Sequence, residues 1–281
     1  MNPVVMIIAP GDMGSAVGRR LVDNGLKVMT AVNGRSDASR KRAREAGMTA
    51  ATEADVAAAD IVLSIVPPGE ALALAERLAP LLARQSAKPL YVDCNAVNPE
   101  TARRIGAFIA DAGLPFVDAG IIGPPPAPGT SGPAFYASGP DASRLVVLAR
   151  HGIDIRVLDG PVGAASALKM SYAGITKGFT ALGAAMMLAA TRGGAAEALH
   201  CELARSQPAL LAWLTRQVPK MYPKAYRFVA EMEEIAGYVG EDPAAHRLFE
   251  GTAQFYQRLA EDFCSTRQET AALSTFLQGK S

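Results

Sequence analysis

The sequence predicts an α/β chain in two parts: an N-terminal doubly wound parallel sheet, then an all-α C-terminal domain entered through a long interdomain helix. Three observations carry this. Short apolar runs alternate with amphipathic segments through the first half, strand signals vanish after about residue 162, and one small-residue-rich helical stretch covers residues 164 to 191. Continuously apolar strands alternating with helices suit a parallel sheet covered on both faces. The expected domains are 1–162 and 163–281, with the long helix at about 164–192.

The elements follow in order. Val4 to Ile8 is a β-branched apolar strand, Ala9-Pro10-Gly11-Asp12-Met13-Gly14 a tight turn, and a helix starts at Ser15. Strand Lys27–Val32, basic helix Ala38–Ala46 and strand Asp60–Val66 come next, the last stopped by Pro67-Pro68. Helix Glu70–Ala83, strand Leu90–Asp93, helix Pro99–Ala112 and strand Pro115–Asp118 complete the alternating half. Gly193-Gly194 ends the long helix, and helices are predicted at Pro208–Val218, Lys224–Val239, Pro243–Phe263 and Thr266–Leu277.

Composition narrows the function classes. A net charge of +1 with 20% charged residues gives no electrostatic reason to bind nucleic acid or an anionic membrane. Cys94, Cys201 and Cys264 lack disulfide or metal-ligand spacing, so no metal is expected and each is read as buried and structural. The first apolar run is strand-length, with no Lys or Arg before it, unlike a signal peptide. The longest apolar stretch, Gly178 to Ala190, is interrupted by glycine and flanked by Lys177 and Arg192, and is read as short of a membrane span. A cytoplasmic protein is expected.

The glycine turn is the strongest local signal. A helix starting beyond a strand and a glycine turn points unpaired N–H groups and its positive dipole end at the turn, where a dinucleotide pyrophosphate would sit. The G-x-G-x-x-G pattern is imperfect: Ala9 replaces its first glycine, which is tolerable if the φ of Ala9 stays negative. Gly11 would let the backbone approach phosphate, beside Asp12 and Met13, and Gly14 would let helix and strand pack closely. The second strand runs out into Asn33-Gly34-Arg35-Ser36, where a site specific for NAD carries a carboxylate. Arg35 offers a planar donor fork for a 2′-phosphate, Ser36 a hydroxyl, and Arg40 a second cation one turn on. Asp37 falls late for a ribose contact, so NADP is favoured over NAD. A surface arginine after a loop glycine gives the same pattern.

Ligands of doubly wound sheets lie beyond the carboxyl ends of the strands. Those ends here are Val66-Pro67, Asp93-Cys94-Asn95-Ala96, and the glycine- and proline-rich run from Asp118 through Gly120, Ile122 and Gly123 to Pro126. That run is either a backbone cradle for a small ligand or a rigid connector. Lys169 stands among small and apolar neighbours early in the long helix, as a proton-transfer lysine or a snorkelling one would. Thr176 shares its helix face, while Lys177 lies about 80° round.

Together these residues resemble the β-hydroxyacid dehydrogenase superfamily, which includes the 3-hydroxyisobutyrate and 6-phosphogluconate dehydrogenases. The resemblance covers residues 1 to about 195. It implies a Rossmann domain whose Gly11 and Gly14 cradle the pyrophosphate, with Pro67 near the adenosine. It also implies Asn95 near nicotinamide and substrate, Gly123 in the substrate motif, and Lys169 as acid/base. The substrate implied is a small carboxylic acid, and the implied assembly a homodimer that buries the long helix. Ile122 replaces the family's substrate serine, Pro124 its second motif glycine and Ala173 its asparagine four after the lysine. The combination of Asp118 to Pro126 with the segment around Lys169 and Lys177 is similar to a DUF1932-type branch, in which Tyr172 and Lys177 are candidate substrate contacts. Imine reductases share the layout, and a non-catalytic NADP sensor is the remaining alternative. His151, His200 and His246 are read as structural or surface residues. Glu231, Glu233 and Glu234 are read as a solvated face.

Overall fold

A computed structural model describes residues 2–279. The chain divides into two compact units, Met1–Lys169 and Met170–Ser281.

The first unit is built on an eight-stranded sheet of order β3-β2-β1-β4-β5-β6-β7-β8. Its strands are β1 Val5–Ile8, β2 Val28–Ala31, β3 Thr49–Ala51, β4 Ile61–Ser64, β5 Leu90–Asp93, β6 Phe116–Ile122, β7 Ala134–Ser138 and β8 Asp154–Val157. β1 pairs in parallel with both β2 and β4, so the strand order reverses at β1, where such sheets bind dinucleotides. The helices are α1 Asp12–Asp23, α2 Asp37–Glu45, α3 Ala71–Ala83 and α4 Pro99–Asp111.

Alternation along the strands sorts the core into two layers. Val5 and Ile7 face Val17 and Leu21 of α1, with Leu145 and Leu148 of a ten-residue 3₁₀ segment, Ala142–His151, in the same layer. Met6 and Ile8 belong to the opposite layer, with Leu74 and Leu78 of α3 and Ile105 and Ile109 of α4.

The first unit departs from the sequence expectation beyond its unforeseen strands β3, β7 and β8. The sheet is not wholly parallel, because β6 runs on past Asp118 and pairs antiparallel with β7, Gly120 opposite Tyr136 and Ile122 opposite Ala134. Gly120 and Ile122 are therefore strand residues, and the loop begins at Gly123. A glycine inside a short run hides a strand whose existence depends on its partner. The division between the units also falls seven residues later than 162, inside α5, Ala164–Arg192. The Asp118 carboxylate accepts hydrogen bonds from Gly163 N–H (2.9 Å), Ser166 N–H (3.1 Å) and Ser166 Oγ (2.7 Å), so the first turn of α5 is tied to β6.

The second unit contains the rest of α5 with α6 Ala196–Ser206, α7 Pro208–Met221, α8 Ala225–Tyr238, α9 Pro243–Cys264 and α10 Gln268–Leu277. α6 was not foreseen; it has no fully buried residue to give it an apolar stripe. Small residues on α5 serve close packing: a Cβ on Gly183 would lie 2.6 Å from Leu214, and one on Gly174 3.1 Å from Phe249. The Tyr256 hydroxyl donates to the Lys177 carbonyl at 2.7 Å, its ring edge-on to Phe228. By length and composition α5 is able to cross a membrane, contrary to the reading of residues 178–190 alone, although here Leu214 and Phe249 pack against it.

Candidate functional site

The site is assembled from the carboxyl ends of β1, β2, β4, β5 and β6. At the end of β1, α1 begins with no side-chain cap on its N-terminus. The first intrahelical bond runs from Ser15 N–H to Gly11 O, leaving the amides of Asp12, Met13 and Gly14 outside the helical ladder. A Cβ on Gly14 would collide with the Ala9 carbonyl oxygen, whereas one on Gly11 would meet nothing within 4 Å. Gly14 is thus required by packing, and Gly11 leaves open space before uncapped amides, which fits a phosphate. Ala9 has no positive φ, so its missing hydrogen is tolerated. The Met13 side chain packs on the core, so only its backbone faces the turn.

Arg42, which sequence reasoning missed, reaches this turn. Its Nε donates to the Pro10 carbonyl at 3.2 Å, and its guanidinium lies 3.8 Å from the Asp12 carboxylate. Its position on α2 gives the signal, two residues beyond Arg40. Arg35 keeps its side chain out of every hydrogen bond and ion pair among the described residues, and Asn33 beside it is exposed. Ser36 has a local duty as the N-cap of α2, accepting from Ser39 N–H at 3.3 Å. Arg40 pairs with Asp37 at 2.7 Å, which holds that carboxyl below its ordinary range. Neither is a free partner for a ribose or its phosphate.

Asn95 differs most from expectation. It is buried, and its amide is spent inside the protein: Nδ2 donates to Ser64 Oγ (2.8 Å) and to the Asp93 carboxylate, while Oδ1 accepts from Val66 N–H at 2.6 Å. Through these bonds it positions the β4 end, Val66-Pro67. Burial, reinforced by the charge of Asp118, pushes Asp93 up to about 7, against the opposing Asn95 hydrogen bond and Lys169 charge. Among the described residues its Oδ2 and the Tyr91 hydroxyl are buried without a hydrogen-bond partner. Burial likewise raises the Cys94 thiol well above its ordinary range.

Lys169 is half-buried in the second turn of α5. Gly120 explains its placement: a Cβ there would lie 2.8 Å from the Ala165 carbonyl and 3.2 Å from Lys169 Cβ, so only glycine lets the helix cross β6 this closely. Lys169 thereby comes near the ends of β5 and β6, and its charge acts on Asp93 and Cys94. Ile122 closes β6 half-buried, and Gly123 has a φ of 129° against Pro133. Arg20 of α1 clamps the following loop, donating to the carbonyls of Ala127 (3.0 Å) and Thr130 (2.9 Å).

Other expectations change in the second unit. Lys177 is bound to the Glu231 carboxylate and lies 4.4 Å over the Phe228 ring, so Glu231 does not belong to a solvated face. Tyr172 is half exposed (52%) and lines one cavity of the second unit together with Lys177 and Trp213. In the single chain Ile175 (72%) and Leu182 (58%) of α5 are exposed, which leaves burial of the helix in a dimer untested. Of the cysteines only Cys94 is buried. His151 and His246 each place Nδ1 at 2.8 Å from a backbone carbonyl oxygen, in structural roles.

Comparisons with known proteins agree with this architecture. Residues 5–146 match the NAD binding domain of 6-phosphogluconate dehydrogenase, and residues 190–259 match a domain of unknown function, DUF1932. An uncharacterised 28.5 kDa protein of Methanothermus fervidus is 32% identical over 61% of this chain, which spans 64% of that relative's length. A conserved protein described as structurally similar to 3-hydroxyacid dehydrogenases is 30% identical, with a TM-score of 0.72 over 93% of this chain and 100% of its own. The Mycobacterium tuberculosis 3-hydroxyisobutyrate dehydrogenase bound to L-serine shares the fold, with a TM-score of 0.71 at 21% identity over 98% of this chain and 99% of its own. Imine reductases share it as well. With an uncapped glycine turn at the sheet's reversal point and a family match over half its length, the chain belongs to the NAD(P)-binding 6-phosphogluconate dehydrogenase-like family of oxidoreductases.

Proposed function

We propose that the protein is an NADP-dependent oxidoreductase that moves a hydride between nicotinamide and a small β-hydroxy acid, with Lys169 as the acid/base. The observation that carries this reading is the placement of Lys169 over Gly120, at the carboxyl end of the sheet, in the unit that also holds the glycine turn. The cofactor, when bound, supplies the hydride chemistry. The amides of Asp12, Met13 and Gly14 would hold its pyrophosphate, the guanidinium of Arg35 its 2′-phosphate, and the Val66-Pro67 end its adenosine side. Lys169 Nζ would take the hydroxyl proton during oxidation and return it during reduction. Ile122 and Ala173, which stand where relatives place a serine and an asparagine, point to a substrate with a less polar body than the simple hydroxy acids.

Lys169→Ala should lower kcat on the order of a hundredfold or more while NADPH affinity is unchanged. Near-normal turnover in that variant would overturn the assignment. The imine reductase reading is supported by the shared fold and needs no lysine base; it predicts NADPH consumption with cyclic imines and none with keto acids. Free cysteines, two of them exposed, support a reducing, cytoplasmic setting.

A further inference from the structure

We propose that Arg42 is a positioning residue of the dinucleotide site: it holds the glycine turn through the Pro10 carbonyl and offsets the charge of Asp12 where the pyrophosphate docks. The role rests on dinucleotide binding alone and is independent of the hydride-transfer reading of Lys169.

Asp12 creates the need for it. It is the acidic residue in the first turn of α1, and its side chain is 72% exposed. The positive end of the helix favours a carboxylate there in the absence of a ligand. A pyrophosphate would settle at that same end, against the amides of Asp12, Met13 and Gly14, and bring two further negative charges. Like charges this close repel, so the Asp12 side chain opposes the anion that its own amide is placed to receive.

Arg42 supplies the compensating cation. Its Nη1 lies 3.8 Å from the Asp12 carboxylate, a charge contact rather than a hydrogen bond. Two hydrogen bonds fix the guanidinium: Nε donates to the Pro10 carbonyl (3.2 Å) and Nη2 to Ser39 Oγ (3.2 Å). Ser39 in turn donates its N–H to Ser36, the N-cap of α2. Pro10 is buried and brings no N–H of its own, and its carbonyl finds its donor in Arg42. The neighbouring arginines differ. Arg40 is committed to Asp37, and Arg35 enters no hydrogen bond or ion pair through its side chain among the described residues. Arg42 therefore acts on the turn, and its effect falls on the pyrophosphate, which NADH and NADPH share.

The test is a double-mutant cycle read by binding. Full-length parent, Arg42→Gln, Arg42→Lys, Asp12→Asn and Asp12→Asn/Arg42→Gln proteins are titrated with NADH and with NADPH, following nicotinamide emission. Arg42→Gln should weaken both cofactors alike, by about fivefold or more, and the gap should shrink as salt rises from about 0.05 to about 0.5 M. Asp12→Asn in that background should restore affinity to within about twofold of the parent, a rescue that a merely structural arginine would not show. Arg42→Lys keeps the charge and should retain most of the affinity. Asp12→Asn alone leaves Arg42 in place and should bind both cofactors at least as tightly as the parent. The proposal is overturned by an unaffected Arg42→Gln protein, by a loss confined to NADPH, by a double variant as weak as Arg42→Gln, or by weaker binding in Asp12→Asn alone. Each of these leaves dinucleotide binding standing, whereas a parent that binds neither cofactor overturns both.

Discussion

At the residue scale, two side chains hold most of the testable chemistry. Among the described residues Arg35 enters no hydrogen bond or ion pair through its side chain, while neighbouring Arg40 is held by Asp37. A bidentate guanidinium–phosphate contact is worth about 1.5–3 kcal/mol. Arg35→Ala should therefore weaken NADPH about tenfold or more and leave NADH nearly unchanged, as read by titration calorimetry; equal losses would refute the 2′-phosphate role. Asp93 is the second. Its folded pKa, raised from 3.8 to about 7 by burial, lies above the unfolded value. The folded chain thus holds this proton more tightly than the unfolded one. The stabilisation is fully present below about pH 4 and is lost as pH rises through about 7. Asp93→Asn keeps the shape without the charge. Its stability advantage over the parent, by urea denaturation, should grow from pH 5 to pH 8 by an amount on the order of a few kcal/mol. A flat difference would show that Asp93 does not titrate there.

At the scale of elements, the glycine turn separates two roles that one motif usually merges. Gly14→Ala forces a methyl against the Ala9 carbonyl and should cost about 1–3 kcal/mol in denaturant stability. Gly11→Ala meets nothing, so stability should hold while NADPH affinity falls, if phosphate approaches there. Reversed outcomes would misplace the cradle. This turn was legible in sequence because strand, turn and helix start are local patterns. Its neighbour Asn95 was not. Its type and position invited a ligand contact, yet Ser64, Asp93 and Val66, up to 31 residues away, consume its hydrogen-bonding groups. The far end of β6 was hidden likewise, because its only signature is pairing with β7.

At the scale of the molecule, α5 presents an exposed apolar stripe, in which Phe179 also packs on the Trp213 ring. Tyr172, Ile175, Phe179, Leu182 and Met186 recur at alternating spacings of three and four and are all exposed, a seam suited to a second helix. We propose that it is buried in a homodimer. Ile175→Glu/Leu182→Glu should convert the dimer to monomer by light scattering with chromatography, and an unchanged mass would remove the stripe from the interface.

The alternation of strands and helices, the switch to an all-helical half, the glycine turn and the place of Lys169 among small and apolar neighbours early in a long helix were determined by the sequence by itself. They express periodicity and backbone sterics within a few residues, which a linear reading sees. Only the tertiary structure decided that α5 is tied to β6 by Asp118, that Gly120 exists so that Lys169 passes over the strand, and that Glu231 neutralises Lys177. Each depends on burial and hydrogen bonding between residues tens of positions apart. A side chain's chemistry is set by what folding places beside it.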